Sequence, residues 1–232
     1  MDRYSRQKKF IGKDAQKKLG FSTICIVGCG ALGSSSAEIL VRSGVKKLIL
    51  IDFDLVELSN LQRQTLYSEI DIGKLKIESL RKYLKKINSK VEIQIHNKKI
   101  DNNSLDLLDS DLIIDGLDNF ETRYLVNEYA VKNDIPFIFG STIRSEGIIF
   151  PITKNGPCLR CTFPKAIDTG RAKEQGVLAS AARVTSAIQV ATAIKILTGE
   201  KVESELTKFN LYNNEFYKAK VKKNELCETC SR

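Results

Sequence analysis

Apolar positions change their period several times along the chain, and each change marks an element. Residues 23–28, TICIVG, are a short unbroken apolar run, which predicts a strand buried on both faces. Residues 31–43 follow a glycine cluster with helical spacing, and 47–52 is apolar again, so the chain opens β-α-β. Ile77, Leu80, Leu84 and Ile87 recur three or four residues apart and predict a helix over 74–87. A strand over 91–96, strands over 111–116 and 136–141, and a helix over 121–132 continue the alternation. Elements of this size in alternation predict an α/β protein with a mostly parallel sheet covered by helices on both faces.

The rhythm then breaks. Residues 146–151, 207–212 and 216–221 read as antiparallel strands extending the sheet. Between them a long helix is expected over 176–198, stopped by Gly199. Its small residues, Ala179, Ser180, Ala181, Ala182, Ser186 and Ala187, permit close packing on another helix, of this chain or of a second copy. No repeat, linker or low-complexity stretch interrupts the 232 residues, so 1–232 reads as a single domain.

Composition narrows the classes. The chain is 42% hydrophobic and 28% charged, and no apolar run approaches the roughly 18 residues a membrane span needs. The N-terminus, MDRYSRQKKF, is charged from its start and is no secretory leader, so the expected compartment is the cytoplasm. The formal net charge is +9, but it is scattered in lysine pairs such as Lys17-Lys18, Lys85-Lys86 and Lys222-Lys223. Scattered pairs argue against nucleic acid, while a positive field favours encounter with an acidic protein or a polyphosphate. The single histidine, His96, falls in a strand-like alternation and disfavours histidine-based catalysis.

Chemistry concentrates at the ends of the predicted parallel strands. In Gly28-Cys29-Gly30-Ala31-Leu32-Gly33 the first glycine allows a tight strand-to-helix turn. Gly30 lets backbone approach a phosphate, and Gly33 lets helix and strand pack closely, the Rossmann-like phosphate loop. The helix N-terminus entered at Ala31 adds free N–H groups and partial positive charge. This loop does not separate ATP from NAD. Asp52, at the end of the next strand with Asp54 beside it, is placed to hold ribose hydroxyls in either case. Cations tip the balance, because a reacting triphosphate needs charged clamps on the departing pyrophosphate. Arg6, Arg63, Lys76 and Arg123 are the candidates.

Asp118 follows the apolar run DLIIDGLD, just past a strand end, where open α/β sheets bind ligands. It could face that crevice or simply N-cap the next helix. Cys158-Leu159-Arg160-Cys161 and Cys227-Glu228-Thr229-Cys230 are two CxxC pairs, which predict a tetrahedral zinc site with four cysteine ligands. Four protein ligands leave no open position, so the Zn2+ is expected to be structural. Cys25 and Cys29 are expected to be inert.

These motifs, in this order, resemble the MoeB/ThiF/HesA family, the bacterial relatives of ubiquitin-activating enzymes. Arg3-Tyr4-Ser5-Arg6-Gln7 is similar to the family's N-terminal signature, which implies that Arg6 reaches the ATP of a partner subunit in a homodimer. Ser59, Asn60 and Arg63, then Lys76, match the ATP-contacting blocks, and Asp118, Asn119 and Arg123 match a third. By this resemblance Asp118 is the essential acidic residue, associated with Mg2+. The implied reaction is ATP-dependent adenylation of the C-terminal glycine of a ubiquitin-like sulfur carrier of the MoaD/ThiS kind, ending in Gly-Gly, for molybdopterin, thiamine or tRNA-thiolation pathways. One departure matters: residues 162–176, the crossover segment, contain no cysteine, which excludes a covalent carrier link there. No sulfur-transfer domain is expected after the second CxxC pair, and a separate persulfide donor is expected. The competing readings are an NAD-dependent oxidoreductase and a non-catalytic module that binds a ubiquitin-like protein.

Overall fold

In the computed structural model, which describes residues 2–166 and 175–231, one sheet of eight strands runs through the molecule. Five strands are parallel: β1 (Thr23–Val27), β2 (Lys47–Ile51), β3 (Glu92–His96), β4 (Leu112–Asp115) and β5 (Phe137–Ile143). Three antiparallel strands, β6 (Glu146–Ile152), β7 (Glu205–Asn210) and β8 (Glu215–Lys220), extend it beyond β5. The order is β3-β2-β1-β4-β5-β6-β7-β8. Strand order therefore reverses between β1 and β4, and the crevice at their C-terminal ends is where such sheets take ligands.

The apolar runs are continuous because both sheet faces are covered. Along β1, Ile24 and Ile26 join one buried cluster while Cys25 and Val27 join the other. The first cluster is closed by α3 (Ala31–Ser43), α4 (Lys76–Ile87) and α7 (Ala179–Thr198). The second is closed by α5 (Phe120–Lys132) and by α6 (Leu159–Thr162) with the cysteine pairs. The small residues of α7 pack within the chain: Ser186 Oγ donates to Leu32 O at 3.0 Å, and Arg183 pairs with Glu38 of α3 at 3.0 Å.

Two helices lie outside the hydrophobic pattern, α1 (Ser5–Ile11) and α2 (Lys13–Leu19). α1 buries none of its residues, so no apolar period announces it. The long helix starts at Ala179 because Gly176, with φ 76°, and Val177 bend away to pair with Arg144. Residues 167–174, the middle of the segment expected to lack a cysteine nucleophile, lie outside the described residues. Among the described residues no helix is long and apolar enough to cross a membrane.

Candidate functional site

At the β1–β4 reversal three glycines make the close approach that shapes a cavity. Gly28 takes φ 88°, and a Cβ there would meet Gly116 O at 2.5 Å. A Cβ on Gly33 would come within 1.8 Å of Gly28 O, so helix α3 can seat on the loop only without a side chain at that position. Gly116, just past β4, had no role assigned in the sequence, yet it is the third member of this contact. At Gly30, by contrast, a Cβ would find only Gln64 Nε2, at 3.7 Å, so the backbone there faces open space.

That space is a cavity of about 1420 Å³. Gly28, Gly30, Ala31, Asp52, Asp54, Asn60, Arg63, Lys76, Asp118, Asn119 and Arg123 all line it. Gly33 sits one turn inside α3. Ser59 is exposed and does not line the cavity, its Oγ donating to Glu57 at 3.2 Å. Arg6 is elsewhere. Its helix is pinned by Tyr4, which covers Gly44 at the C-terminal end of α3 and accepts from Asn88 at 2.9 Å at the end of α4. The thirteen residues of α3 separate that end from the glycine loop by roughly 20 Å. Within one chain Arg6 and the cavity do not meet.

Ionisable groups in the cavity divide into floor and rim. On the floor, Asp115 is fully buried and Arg123 nearly so, and their pair is 2.9 Å long. Arg123 Nη2 also donates to Leu117 O at 2.6 Å and Gly140 O at 3.0 Å, and the guanidinium lies over Phe139 at 4.9 Å and Phe120 at 5.2 Å. Asp115 accepts further bonds from Leu117 N and Gly140 N, at 2.9 and 3.3 Å. Burial pushes its carboxyl above the usual range, with Arg123 opposing that rise. The structure thus places Arg123 in the cavity wall, its Nε and Nη2 bonded to protein. Asp115 carried no role in the sequence reading; the only signal was a carboxylate closing the apolar run LIID.

Asp52 stands between floor and rim. One oxygen accepts from Cys29 N at 2.6 Å and the other from Asp54 N at 2.7 Å, and burial raises its pKa against those two bonds. Lys76 is buried to 6% exposure and pairs with half-exposed Asp54 at 2.7 Å. Arg63 donates to Ser59 O at 3.0 Å from a partly exposed position. Asn60 caps its own short turn, accepting from Glu57 N at 3.3 Å. Of the two roles open to Asp118, capping belongs to its neighbour: Asn119 accepts from Thr122 N at 2.9 Å. Asp118 itself is exposed at the cavity mouth. Gln64, 4% exposed, lines the cavity with an Oε1 that has no partner among the described residues, a residue the sequence reading left without a role of its own. Cys29 is fully buried and burial raises its thiol, so the helix N-terminus does not activate it.

A second centre lies beyond α5. The four Sγ atoms of Cys158, Cys161, Cys227 and Cys230 lie within 4.8 Å of one another. Cys158 and Cys227 are 3.6 Å apart and Cys161 and Cys230 3.5 Å, close to the roughly 3.8 Å edge of a tetrahedron with Zn–S near 2.3 Å. All four are free thiols, far longer than a disulfide, and Asn224 N donates to Cys161 Sγ at 3.4 Å. The donor set and spacing fit a metal ion.

Residues 4–229 match the profile of the ThiF family. The chain belongs to that family. Among its relatives, the sulfur carrier protein ThiS adenylyltransferase of Bacillus subtilis is 40% identical over 239 positions, covering 98% of this chain and 71% of that protein. The molybdopterin-synthase adenylyltransferase of Escherichia coli is 34% identical over 241 positions, covering 100% and 97%. The adenylyltransferase and sulfurtransferase MOCS3 of Aedes aegypti is 37% identical, and there the chain spans 55% of the relative's length. Among solved structures, E. coli MccB with ATP superposes with a TM-score of 0.88 at 24% identity, covering 100% of this chain and 74% of that one, which establishes the shared fold. For a ThiF-family chain the expected α/β architecture, parallel strands extended by antiparallel ones, is therefore borne out.

Proposed function

We propose that this protein adenylates the C-terminal glycine of a small ubiquitin-like sulfur carrier ending in Gly-Gly, using ATP and releasing pyrophosphate. One observation carries the reading: a single cavity joins a glycine loop, a ribose-level carboxylate, Asp52, and the rim groups Arg63, Lys76 and Asp118. Its volume, about 1420 Å³, exceeds the roughly 300–1,000 Å³ of an ordinary small-ligand site, leaving room for an extended peptide tail beside a nucleotide. The Bacillus subtilis relative named as a sulfur carrier protein adenylyltransferase supports the same assignment.

In this reading the nucleotide phosphates lie over Gly28–Ala31 at the N-terminus of α3, where N–H groups and the helix dipole meet them. Asp52 holds the ribose and Asn60 the nucleotide. A carrier carboxylate oxygen attacks the α-phosphorus, the bond to the β-phosphate oxygen breaks, and pyrophosphate leaves with that electron pair. Arg63 and Lys76 neutralise the departing charge, with Arg6 supplied by the partner of a homodimer. Arg123 acts by fixing the floor. Asp118 would hold Mg2+, which binds by one or two carboxylates plus substrate phosphates and would supply charge neutralisation. The four cysteines would hold a structural Zn2+, tying the C-terminal segment to the middle of the chain. Residues 162–176 hold no cysteine that could link the carrier covalently there, and sulfur would reach the activated carrier from a separate persulfide donor. Six free cysteines fit a reducing compartment such as the cytoplasm.

ATP–pyrophosphate exchange tests this directly. Exchange is expected only with a carrier ending in Gly-Gly and is expected to vanish in Asp118→Ala. Tight NAD binding without exchange would instead favour the oxidoreductase. Metal analysis of purified protein is expected to return one zinc per chain.

A further inference from the structure

We propose that Tyr124 is a positioning residue that sets the cavity wall met by the incoming carrier tail, an assignment that rests on the adenylation reading above. Tyr124 lies on α5, one turn after Phe120, and does not line the cavity itself. Its hydroxyl donates to Phe163 O and accepts from Ala166 N, the latter at 3.2 Å. Those two groups are the first carbonyl and fourth amide of a chain turn, which ordinarily bond to each other. Here the phenol stands between them and closes the turn.

What the turn carries is cavity wall. Phe163, Lys165 and Ala166 all line it, on the side of Asp118 and Phe120. Phe163 packs on Phe139 and Phe120, ring centroids 5.4 and 5.8 Å apart, and those two rings support the Arg123 guanidinium. The Tyr124 ring is held in turn by Arg160, whose guanidinium lies 4.2 Å over it and is ion-paired to Glu128 at 2.7 Å. Arg160 belongs to the first CxxC pair, so the cysteine centre, the tyrosine and the wall form one connected stack. Among the described residues the hydrogen bonds and ion pairs of Tyr124, Phe163, Ala166 and Arg160, helix ladders apart, go to one another, to Leu159 and to Glu128, and not to residues 28–33. Tyr124 therefore acts on the entry of the acyl substrate and leaves the seat of the nucleotide alone.

Tyr124→Phe removes only the oxygen, and ATP–pyrophosphate exchange with the carrier that the wild type activates reads the result. The expected KM for the carrier rises about tenfold, the worth of about one net hydrogen bond. ATP affinity by calorimetry, and kcat, stay within about twofold. The chain has no tryptophan, so Phe163→Trp supplies a reporter in the wall, and its emission is expected to move to the red when Tyr124→Phe is added. A purely structural tyrosine would lower thermal stability and leave the carrier KM and the reporter unmoved; that result overturns the assignment alone. A wild type without carrier-dependent exchange overturns it together with the reading beneath it.

Discussion

Floor and rim of the cavity hold the same chemistry, carboxylates facing cations, and use it oppositely. On the floor Asp115 and Arg123 meet at 2.9 Å with side chains 0% and 5% exposed, and their remaining bonds go to backbone and aromatic faces. On the rim Lys76 meets an Asp54 that is 50% exposed, and Asp118 stands in the open mouth. A buried pair with most of its bonds made to protein is costly to disturb and has less freedom to engage a ligand. A pair with one partner in solvent can exchange that partner for a phosphate. Arg123 and Lys76 are equally buried, so it is the exposure of the partner carboxylate that separates the cation holding the wall from the one that can act.

The sharpest way to break this distinction is Arg123→Met. It strands the Asp115 carboxylate and is expected to cost about 3–5 kcal/mol in urea unfolding. A loss below about 1 kcal/mol accompanied by abolished ATP binding would make Arg123 a ligand group, and floor and rim would merge. Next in size is Asp118→Asn. Carrier-dependent exchange should fall roughly 10²–10³-fold, the scale of removing one preorganised electrostatic group. The unfolding midpoint should barely move, because the helix is capped by Asn119. Asn119→Ala should instead destabilise by about 1 kcal/mol through the lost cap.

Local features were legible in the sequence. The strand TICIV, the glycine loop and the CxxC pairs each carry their meaning within a few residues, and the glycines and cysteines meet where their spacing requires. Features fixed by distant contact were not. Asp115 and Arg123 lie on one strand and the following helix, but what commits them is Gly140 and Phe139 from the next strand. Asp118 and Asn119 are equally good caps by type, and only the backbone at 119, extended with its Oδ1 toward Thr122 N, separates them. Helix α1 left no trace because a helix without buried residues writes no apolar stripe.

Lys76 offers a finer test of the rim. Its ammonium is held by Asp54 at 2.7 Å, so phosphate must compete with a carboxylate for it. Lys76→Met should weaken ATP about tenfold, the scale of one charge-assisted hydrogen bond. Asp54→Asn removes the competitor. Because Asp54 is half exposed, its pull is worth only about 0.5–1 kcal/mol, and ATP should bind two- to fivefold more tightly. Weaker binding in Asp54→Asn would mean that this carboxylate touches the nucleotide itself.

The smallest effect falls where floor and rim meet, at Asp52. Burial raises its pKa above the usual 3.8, so on acidification it takes up a proton before an ordinary aspartate does. A protonated Asp52 accepts ribose hydroxyls less well, and ATP affinity should decline as pH drops into the acid range, by up to about tenfold. ATP titrates too, so the informative quantity is the difference between wild type and Asp52→Asn, which should be large near neutrality and close at the acid end. Stability should move the other way. A carboxyl whose folded pKa is raised favours the native state below its unfolded pKa, and that contribution is lost as pH rises through the folded value. Asp52→Asn should therefore give up nucleotide affinity at neutral pH. Its amide has one oxygen and keeps only one of the bonds from Cys29 N and Asp54 N, a loss of about 1 kcal/mol at every pH, and the pH-dependent part of the stability loss is least at neutrality. If affinity and stability instead fell together across the whole range, Asp52 would belong to the floor, holding the glycine loop in place without touching the ribose.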